Sequence, residues 1–255
     1  MSKKKIKSVL VFGDTHVKYG QGGLDPRAWR AIQSYAETKK WDEVVHLGDV
    51  ADYGCISSHE KGVLRGIDSK LIGRDNDAVN DFLDQAQKMA PKAKFTIIEG
   101  NHDFRIERYL DFHPELGGLL DCEKAWNLKK RNIQWVPFWS RGDVYKIGKA
   151  SFIHGIYTNK YHAEQHCRNF GGNVFSGHTH DVMCFSVQEI GELPKVGQSL
   201  GCLQVYDPKW LRGRPSRWQQ AFAVFHFLPD GNFSYNVVRI FNGRFISPEG
   251  DLYVG

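Results

Sequence analysis

The chain has few of the features that mark secreted, membrane-bound or disordered proteins. Its five cysteines are an odd number, and no two of them have the Cys-x-x-Cys spacing of zinc ribbons and redox motifs. No apolar run approaches the roughly 18 residues of a membrane-spanning helix. The apolar run that follows Lys3-Lys4-Lys5 stops at Gly13-Asp14, which is too early for a signal peptide. These absences argue against a disulfide framework and predict a cytoplasmic protein without a membrane segment.

No internal repeat, low-complexity tract or linker divides the 255 residues, so we expect a single domain over residues 1–255. The 34 Lys and Arg exceed the 29 Asp and Glu by a net charge of +5, which permits an acidic partner without requiring one. A hydrophobic fraction of 41% suffices for a globular core. The more unusual count is that of histidine, of which the chain has 11.

Short β-branched runs alternate with helical stretches as far as residue 181. This order predicts an α/β fold with a largely parallel sheet, in which the loops after the strands meet at one edge. Later strands joined by short turns predict a meander that extends or faces this sheet. Residues 53–74 and 104–141 fit neither pattern and are interpreted as insertions over the ligand edge, where they are candidates for a cap. The predicted strands are 8–12, 43–47, 95–98, 151–153, 173–175, 182–190, 198–206, 219–228 and 233–240, and the predicted helices are 25–40, 75–90 and 159–170.

Candidate metal ligands follow five of the predicted strands. A single Asp-x-His is often a turn beside a solvated imidazole, and a lone histidine at a strand end is usually structural. Gly-His-x-His is expected by chance only about 0.05 times at this composition, and five such loops together favour a site. Imidazole, carboxylate and amide ligands suit Mn²⁺, Fe or Zn²⁺, whereas the lack of thiolates disfavours a structural zinc site. The loops are Gly13-Asp14-Thr15-His16, Gly48-Asp49-Val50-Ala51-Asp52, Gly100-Asn101-His102-Asp103, His154-Gly155 and Gly177-His178-Thr179-His180.

In this order the five loops resemble the motifs of the calcineurin-like metallophosphoesterases. The tail sequences Arg217-Trp218-Gln219-Gln220 and Asn242-Gly243-Arg244-Phe245 resemble a bacterial and bacteriophage branch of that superfamily. The resemblance implies a four-layer αββα fold, a β-sandwich of two mixed sheets flanked by helices, with the active site at the carboxyl edge of the strands. It also implies two divalent metal ions bridged by Asp49. The first would also bind Asp14, His16 and His180, and the second Asn101, His154 and His178.

The same resemblance assigns acid–base roles to two residues that bind no metal. His102 is expected to protonate the leaving group as a general acid, while Asp52 holds its imidazole and raises its pKa. A hydroxide bridging the two ions would attack phosphorus at neutral pH. Manganese is the expected metal, with Fe, Zn or Ni as alternatives. Arg105 and Arg108, which are three apart on a predicted helix, and His59 are candidates for substrate contact, with solvated or salt-bridged side chains as the alternative.

The motifs indicate the reaction more closely than the substrate. Aromatic and basic residues interleave over 124–141 and 206–218, a composition that suits stacking on bases and contact with phosphates. Ordinary packing with basic side chains at its surface produces the same composition. We therefore expect a phosphodiesterase or nuclease acting on nucleotides, DNA or RNA. A phosphomonoesterase acting on nucleotides or phosphoproteins and a non-catalytic nucleic-acid-binding module are the alternatives, and the oligomeric state stays open.

Overall fold

A computed structural model of the chain describes residues 6–20, 22–57, 71–206 and 213–255. The helices are α1 Pro26–Glu37, α2 Ile72–Met89, α3 Arg105–Phe112, α4 Cys122–Ala125, α5 Phe138–Arg141 and α6 His162–Asn169. The strands are β1 Lys7–Phe12, β2 Glu43–His46, β3 Lys94–Ile98, β4 Ile133–Val136, β5 Tyr145–Ile147, β6 Ala150–Ile153, β7 Asn173–Ser176, β8 Cys184–Val187, β9 Lys195–Ser199, β10 Ala221–Phe227, β11 Phe233–Arg239, β12 Arg244–Ile246 and β13 Leu252–Val254.

Two mixed sheets form the centre of the fold. The first has the strand order β11-β10-β1-β2-β3-β4, in which β1 to β4 are parallel and β10 and β11 are antiparallel to their neighbours. The second has the order β5-β6-β7-β9-β8, with β6, β7 and β9 parallel. Strands β12 and β13 form a separate hairpin. The expected sandwich of two mixed sheets is confirmed.

The alternation of side chains along β1 shows why the sheets are layered. Val9 and Val11 face the core between the two sheets, whereas Leu10 and Phe12 face a second core under α1 and α2. Successive residues of a strand point to opposite faces, so a strand with apolar residues on both faces must be covered on both. Helix α6 packs against β8 and β9 on the second sheet. The layers are therefore helices, first sheet, second sheet and helix.

Helix boundaries differ from the predicted ones where local signals mislead. Asp25 caps α1 as expected of a helix start, with its carboxylate accepting from the backbone N–H of Arg27. Helix α2 begins one turn earlier than predicted, at Ile72. Asp75, the first residue of the predicted helix, instead lies within α2 and accepts from the N–H of Tyr19. Its carboxylate thus ties α2 to the loop after β1 rather than starting the helix.

Three predictions for the later part of the chain are wrong. The predicted strand 198–206 is largely a loop, because β9 ends at Ser199 and Gly201 has φ +72, which extended residues do not adopt. The C-terminal strands are not one meander, since β8 and β9 join the second sheet while β10 and β11 join the first. Segment 104–141 is not wholly an insertion, because Ile133–Val136 pairs in parallel with β3 as an edge strand.

Candidate metal centre

All five candidate loops lie at the same edge of the sheets, because each follows the carboxyl end of a strand. The backbone there is unusual: Asp14, His16, Asp49, His178 and His180 all have φ between +45 and +70. Residues other than Gly, Asn and Asp rarely adopt such φ angles, and this conformation costs on the order of 1 kcal/mol or more per residue. Backbone strain of this kind clusters at functional sites, where the surrounding structure enforces it.

The first group of donors comprises Asp14, His16 and His180. The Nε2 atoms of the two histidines are 3.0 Å apart, and Asp14 Oδ1 lies 3.2 Å from His180 Nε2. The Nδ1 atoms of both rings are buried without a hydrogen-bond partner, and His16 Nδ1 lies 3.7 Å from the carboxylate oxygen Oδ1 of Asp52. Burial, together with the neighbouring His102, lowers the pKa of His16 to about 4, which favours the neutral imidazole. Two imidazoles beside a carboxylate are a donor set suited to a divalent cation.

The second group comprises Asp49, Asn101, His154 and His178. Nδ1 of His154 donates to the carbonyl oxygen of Leu47 at 2.8 Å, which orients the ring so that Nε2 lies 2.9 Å from Asn101 Oδ1. A metal-binding histidine commonly donates its other N–H to a backbone carbonyl in this way. The ring centroid of His178 lies 5.0 Å from that of His154. These donors also suit a divalent cation.

Asp49, a member of the second group, also faces the first. Its Oδ2 is 3.6 Å from His16 Nε2 in the first group, and its Oδ1 is 3.5 Å from His154 Nε2 in the second. Burial by itself would raise the pKa of Asp49, but the nearby His154 and His102 hold it well below its ordinary value. The carboxylate is therefore ionised, and each of its oxygens faces a different donor group. This is the arrangement of a bridging ligand.

The proton-donor candidate His102 lies beside Asp52, as the resemblance implies. Its Nδ1 is 2.9 Å from the carbonyl oxygen of Asp52 and 3.3 Å from the carboxylate oxygen Oδ1. Burial alone would lower the pKa of His102, but the Asp49 and Asp52 carboxylates outweigh burial and raise it. Lys18 also contacts the Asp52 carboxylate, at 3.0 Å. This is the direction that the resemblance implies for the His102 pKa.

The three substrate-contact candidates have different surroundings. Arg105 is engaged within the site: one guanidinium nitrogen donates to the carbonyl oxygen of Asp52 at 2.7 Å, and the other lies 3.1 Å from His102 Nε2. Arg108 on the same helix is exposed, whereas Arg105 is half-buried. His59 lies outside the described residues.

Two buried residues that sequence reasoning did not assign to the site hold its loops together. Asp103 Oδ1 accepts from the N–H groups of Val50 and Ala51, and its Oδ2 accepts from that of Gly100. Burial and the charge of Asp49 raise the pKa of Asp103 to about 7. His46, the last residue of β2, is buried, and its Nε2 lies 3.0 Å from the hydroxyl oxygen of Thr15. The position of Asp103 directly after Asn101-His102 was the only local signal for its role.

At two of the motif glycines, the carboxylate side chain of a proposed metal ligand lies directly against the backbone. A Cβ at Gly177 would lie 2.2 Å from Asp14 Oδ2, and a Cβ at Gly100 would lie 2.2 Å from Asp49 Oδ1. No side chain fits at either position. The N–H of His178, next to Gly177, donates to both carboxylate oxygens of Asp14 at 3.0 Å. Gly177 is therefore required for the contact that joins the first loop to the fifth.

The interleaved aromatic residues separate into core residues and residues at the site. Trp126 is fully buried and Phe138 is 3% exposed, so neither is available to stack on a base. Trp139 is half-buried, with its ring centroid 5.4 Å from that of His178. Trp218 is half-buried, with its ring centroid 4.3 Å from that of His180. One tryptophan therefore contacts each histidine of the Gly-His-x-His motif.

Comparison with known proteins agrees with this site. The family model for the calcineurin-like phosphoesterases matches residues 7–182, so the chain belongs to that family of metal-dependent hydrolases of phosphoric esters. The Gene 54 protein of Mycobacterium phage D29 is 27% identical, covering 97% of this chain and 98% of its own length. The Gene 54 protein of Mycobacterium phage L5 is 25% identical, covering 94% and 96%. These relatives fit the predicted bacteriophage-type branch.

Proposed function

We propose that this calcineurin-like phosphoesterase is a two-metal phosphodiesterase that cleaves nucleotides or nucleic acid. The orientation of Asp49, whose two oxygens face separate donor groups, is the observation that carries the hydrolytic part. Two divalent cations held there would supply a positive clamp for the phosphate and an activated water. The proposed ligands beside Asp49 are Asp14, His16 and His180 at one ion, and Asn101, His154 and His178 at the other.

Manganese is the proposed metal. The donor groups combine imidazole nitrogens with carboxylate and amide oxygens, which suit Mn²⁺, and Fe, Zn and Ni are ions that the same donors accept. The five cysteines, all within the described residues, are free and take no part in either group. Unpaired cysteines also fit a reducing compartment, so we propose a cytoplasmic location. None of the described helices is long and apolar enough to cross a membrane.

His102 is the proposed general acid. Its Nδ1 faces Asp52, which leaves Nε2 directed towards Asp49 Oδ2 at 3.9 Å. A proton held at Nε2 is thus on the side of the ring that faces the bridging carboxylate, where the leaving oxygen of the phosphoester would need it. In the structure a guanidinium nitrogen of Arg105 lies 3.1 Å from this Nε2, and because a guanidinium can only donate, it has to turn away when Nε2 carries a proton; we propose that it then contacts the phosphate.

The two tryptophans favour a diester over a monoester. Trp139 contacts His178 and Trp218 contacts His180, so the candidate centre has an aromatic ring beside each of these two histidines. A phosphodiester carries a nucleoside on both sides of the phosphorus, whereas a monoester carries only one. Stacking of a base on an aromatic side chain is worth about 1–3 kcal/mol. Arg141 and Arg217, close along the chain to these rings, are exposed and add positive charge.

The test compares substrates that differ only in the second ester bond. With Mn²⁺ present, we expect turnover of thymidylyl-thymidine, bis-p-nitrophenyl phosphate and DNA, and little turnover of thymidine monophosphate or p-nitrophenyl phosphate. Activity on the monoesters alone would overturn the diester proposal and leave a phosphomonoesterase. No turnover of any substrate in Mn²⁺, Fe²⁺, Zn²⁺ or Ni²⁺ would leave a nucleic-acid-binding module.

Tryptophan variants test the stacking contribution. Trp139→Ala and Trp218→Ala should each raise KM for thymidylyl-thymidine roughly 5- to 150-fold with a smaller change in kcat. Phe241→Ala is the matched control, because Phe241 is 66% exposed on the C-terminal segment. Unchanged KM in both tryptophan variants would show that neither ring binds a base.

A further inference from the structure

Two buried histidines on α6 contact the candidate loops without belonging to either donor group. His162 is 0% exposed and His166 is 1% exposed. They are four residues apart, so they lie on the same face of the helix. The spacing excludes a zinc-protease His-Glu-x-x-His motif, because the glutamate is one position late. Their contacts are instead with the segments that follow β6 and β7.

His166 holds the segment after His154. Its Nε2 lies 3.0 Å from the backbone nitrogen of Ile156 and 3.3 Å from that of Tyr157, and both N–H groups donate to it. The nitrogen must therefore carry a lone pair and the ring must be neutral, consistent with burial lowering the pKa of His166 to about 4. The ring also fills the space beside Gly155, where a Cβ would lie 3.4 Å from it.

His162 holds the segment that contains His178 and His180. Its Nε2 lies 3.1 Å from the carboxylate of Asp181. Asp181 Oδ1 in turn accepts from the hydroxyl groups of Thr179 and Ser199, both at 2.8 Å. Thr179 lies between the two candidate ligands, so the Asp181 carboxylate fixes the middle of the Gly-His-x-His loop and joins it to β9.

We infer that α6 is a positioning element for the metal centre, in which His166 fixes the His154 loop and His162, through Asp181, fixes the His178–His180 loop. This inference rests on the proposed function, because it takes His154, His178 and His180 as ligands. His178 and His180 have φ +70 and +59, which an unconstrained loop relaxes away from. The contacts from α6 keep the donors in place before an ion arrives.

The consequence is a loss of metal affinity at one of two ions rather than a general loss of structure. Removing the acceptor at position 166 frees the segment next to His154, a ligand of the second ion only. Groups that orient metal ligands typically contribute about 10- to 100-fold in affinity. We therefore expect His166→Leu to lower the affinity for the second ion by about that factor. The affinity for the first ion, which Asp14 and His16 would bind, should stay close to the wild-type value.

The experiment measures Mn²⁺ binding to chelator-treated protein by calorimetric titration, together with the thermal unfolding of the metal-free protein. His166→Gln should restore the affinity for the second ion to within a few-fold of wild type, because its amide oxygen can accept from the same two N–H groups. Cys167→Ala is the matched control, a change at a buried α6 residue that takes no part in the His166 and His162 hydrogen bonds described above. It should lower the unfolding temperature without changing either affinity.

Each outcome decides a separate claim. Wild-type protein that binds fewer than two Mn²⁺ ions would overturn the proposed function. Two ions in wild type and unchanged affinities in His166→Leu would overturn only the role of α6, as would an equal loss in Cys167→Ala. If His166→Leu does not fold, Asp181→Asn tests the other contact. It keeps one carbonyl oxygen but loses the charge facing His162, and unchanged binding in that variant would overturn the inference.

Discussion

The carboxylate oxygen Oδ1 of Asp52 lies 3.3 Å from Nδ1 of the His102 imidazole, and the backbone carbonyl of Asp52 accepts from the same nitrogen at 2.9 Å. The ring is thus fixed by two oxygens of one residue. Its other nitrogen faces the bridging candidate Asp49. In the proposed site neither His102 nor Asp52 is itself a ligand, although Asp52 Oδ1 also lies 3.7 Å from Nδ1 of the proposed ligand His16.

His102→Ala should affect substrates according to their leaving groups. A poor leaving group such as a nucleoside alkoxide needs a proton, so we expect a loss of about 10²- to 10⁴-fold in kcat on thymidylyl-thymidine. A p-nitrophenolate leaving group needs no proton, and its rate should fall much less. The measurement compares kcat for both substrates after the metal content of the variant has been checked. Equal losses on both, with two ions still bound, would remove the general-acid role.

Asp49→Ala should lose both ions together, because its two oxygens face both donor groups. Elemental analysis after dialysis against Mn²⁺ should give about two ions per chain for the wild type and close to none for the variant. Asp230→Ala is the control, a change of an exposed carboxylate in the turn between β10 and β11. Retention of two ions by Asp49→Ala would contradict the bridging assignment.

Gly177→Ala should displace Asp14, because the added methyl group would lie 2.2 Å from Asp14 Oδ2. We expect a loss of about 10- to 100-fold in affinity for the first ion and a cost of about 1–3 kcal/mol in the free energy of unfolding. Gly172→Ala is the matched control, since a Cβ there would meet nothing within 4 Å. Calorimetric titration and urea unfolding supply the two quantities, and equal behaviour of the two variants would count against close approach as the cause.

His46 should make the metal-free protein sensitive to acid. Burial lowers the pKa of His46 to about 3 from the ordinary value of 6.5. On acidification, the unfolded chain therefore binds a proton at His46 before the folded chain does. The contribution of the neutral, buried His46 to the free energy of unfolding is complete above pH 6.5 and is lost as the pH falls towards 3. One such group changes the free energy of unfolding by at most about 1.4 kcal/mol per pH unit.

Urea unfolding of His46→Gln at pH 7, 6 and 5 should show a shallower loss of stability than that of the wild type. The substituted amide does not take up a proton in this range, so the difference in slope should approach one proton at pH 5. His113→Gln, which changes a half-exposed histidine on the loop after α3, is the control. Identical slopes for His46→Gln and the wild type would show that His46 does not contribute.

The strands that precede the candidate loops were predictable because their signals are local. Val9-Leu10-Val11-Phe12 before Gly13 is apolar on both faces and ends at a glycine. The four residues of β4 carried no comparable signal between Asn132 and Pro137, and they are a strand only because they pair with β3. Strand pairing depends on residues distant in the chain, so the edge of a sheet is harder to predict than its centre.

The side-chain environments at the site were predictable only in part, for the same reason. The sequence placed Trp126, Trp139 and Trp218 in similar aromatic and basic stretches. The fold buries Trp126 completely and puts the other two against His178 and His180. Arg105 and Arg108 share a helix, yet only Arg105 reaches His102. Composition says which side chains are available, and packing decides which of them face the site.

The sequence by itself determined the donor set and its position after successive strands, because a glycine and a polar residue at a strand end are local features of the chain. Tertiary structure decided which donors meet. His16 and His180 are 164 residues apart, and their nitrogens come within 3.0 Å only through the order and packing of two sheets. The same packing turns the two oxygens of Asp49 towards different histidines and places α6 behind their loops. Such distances are set by the burial of both sheet faces, a property of the whole chain that no single motif contains.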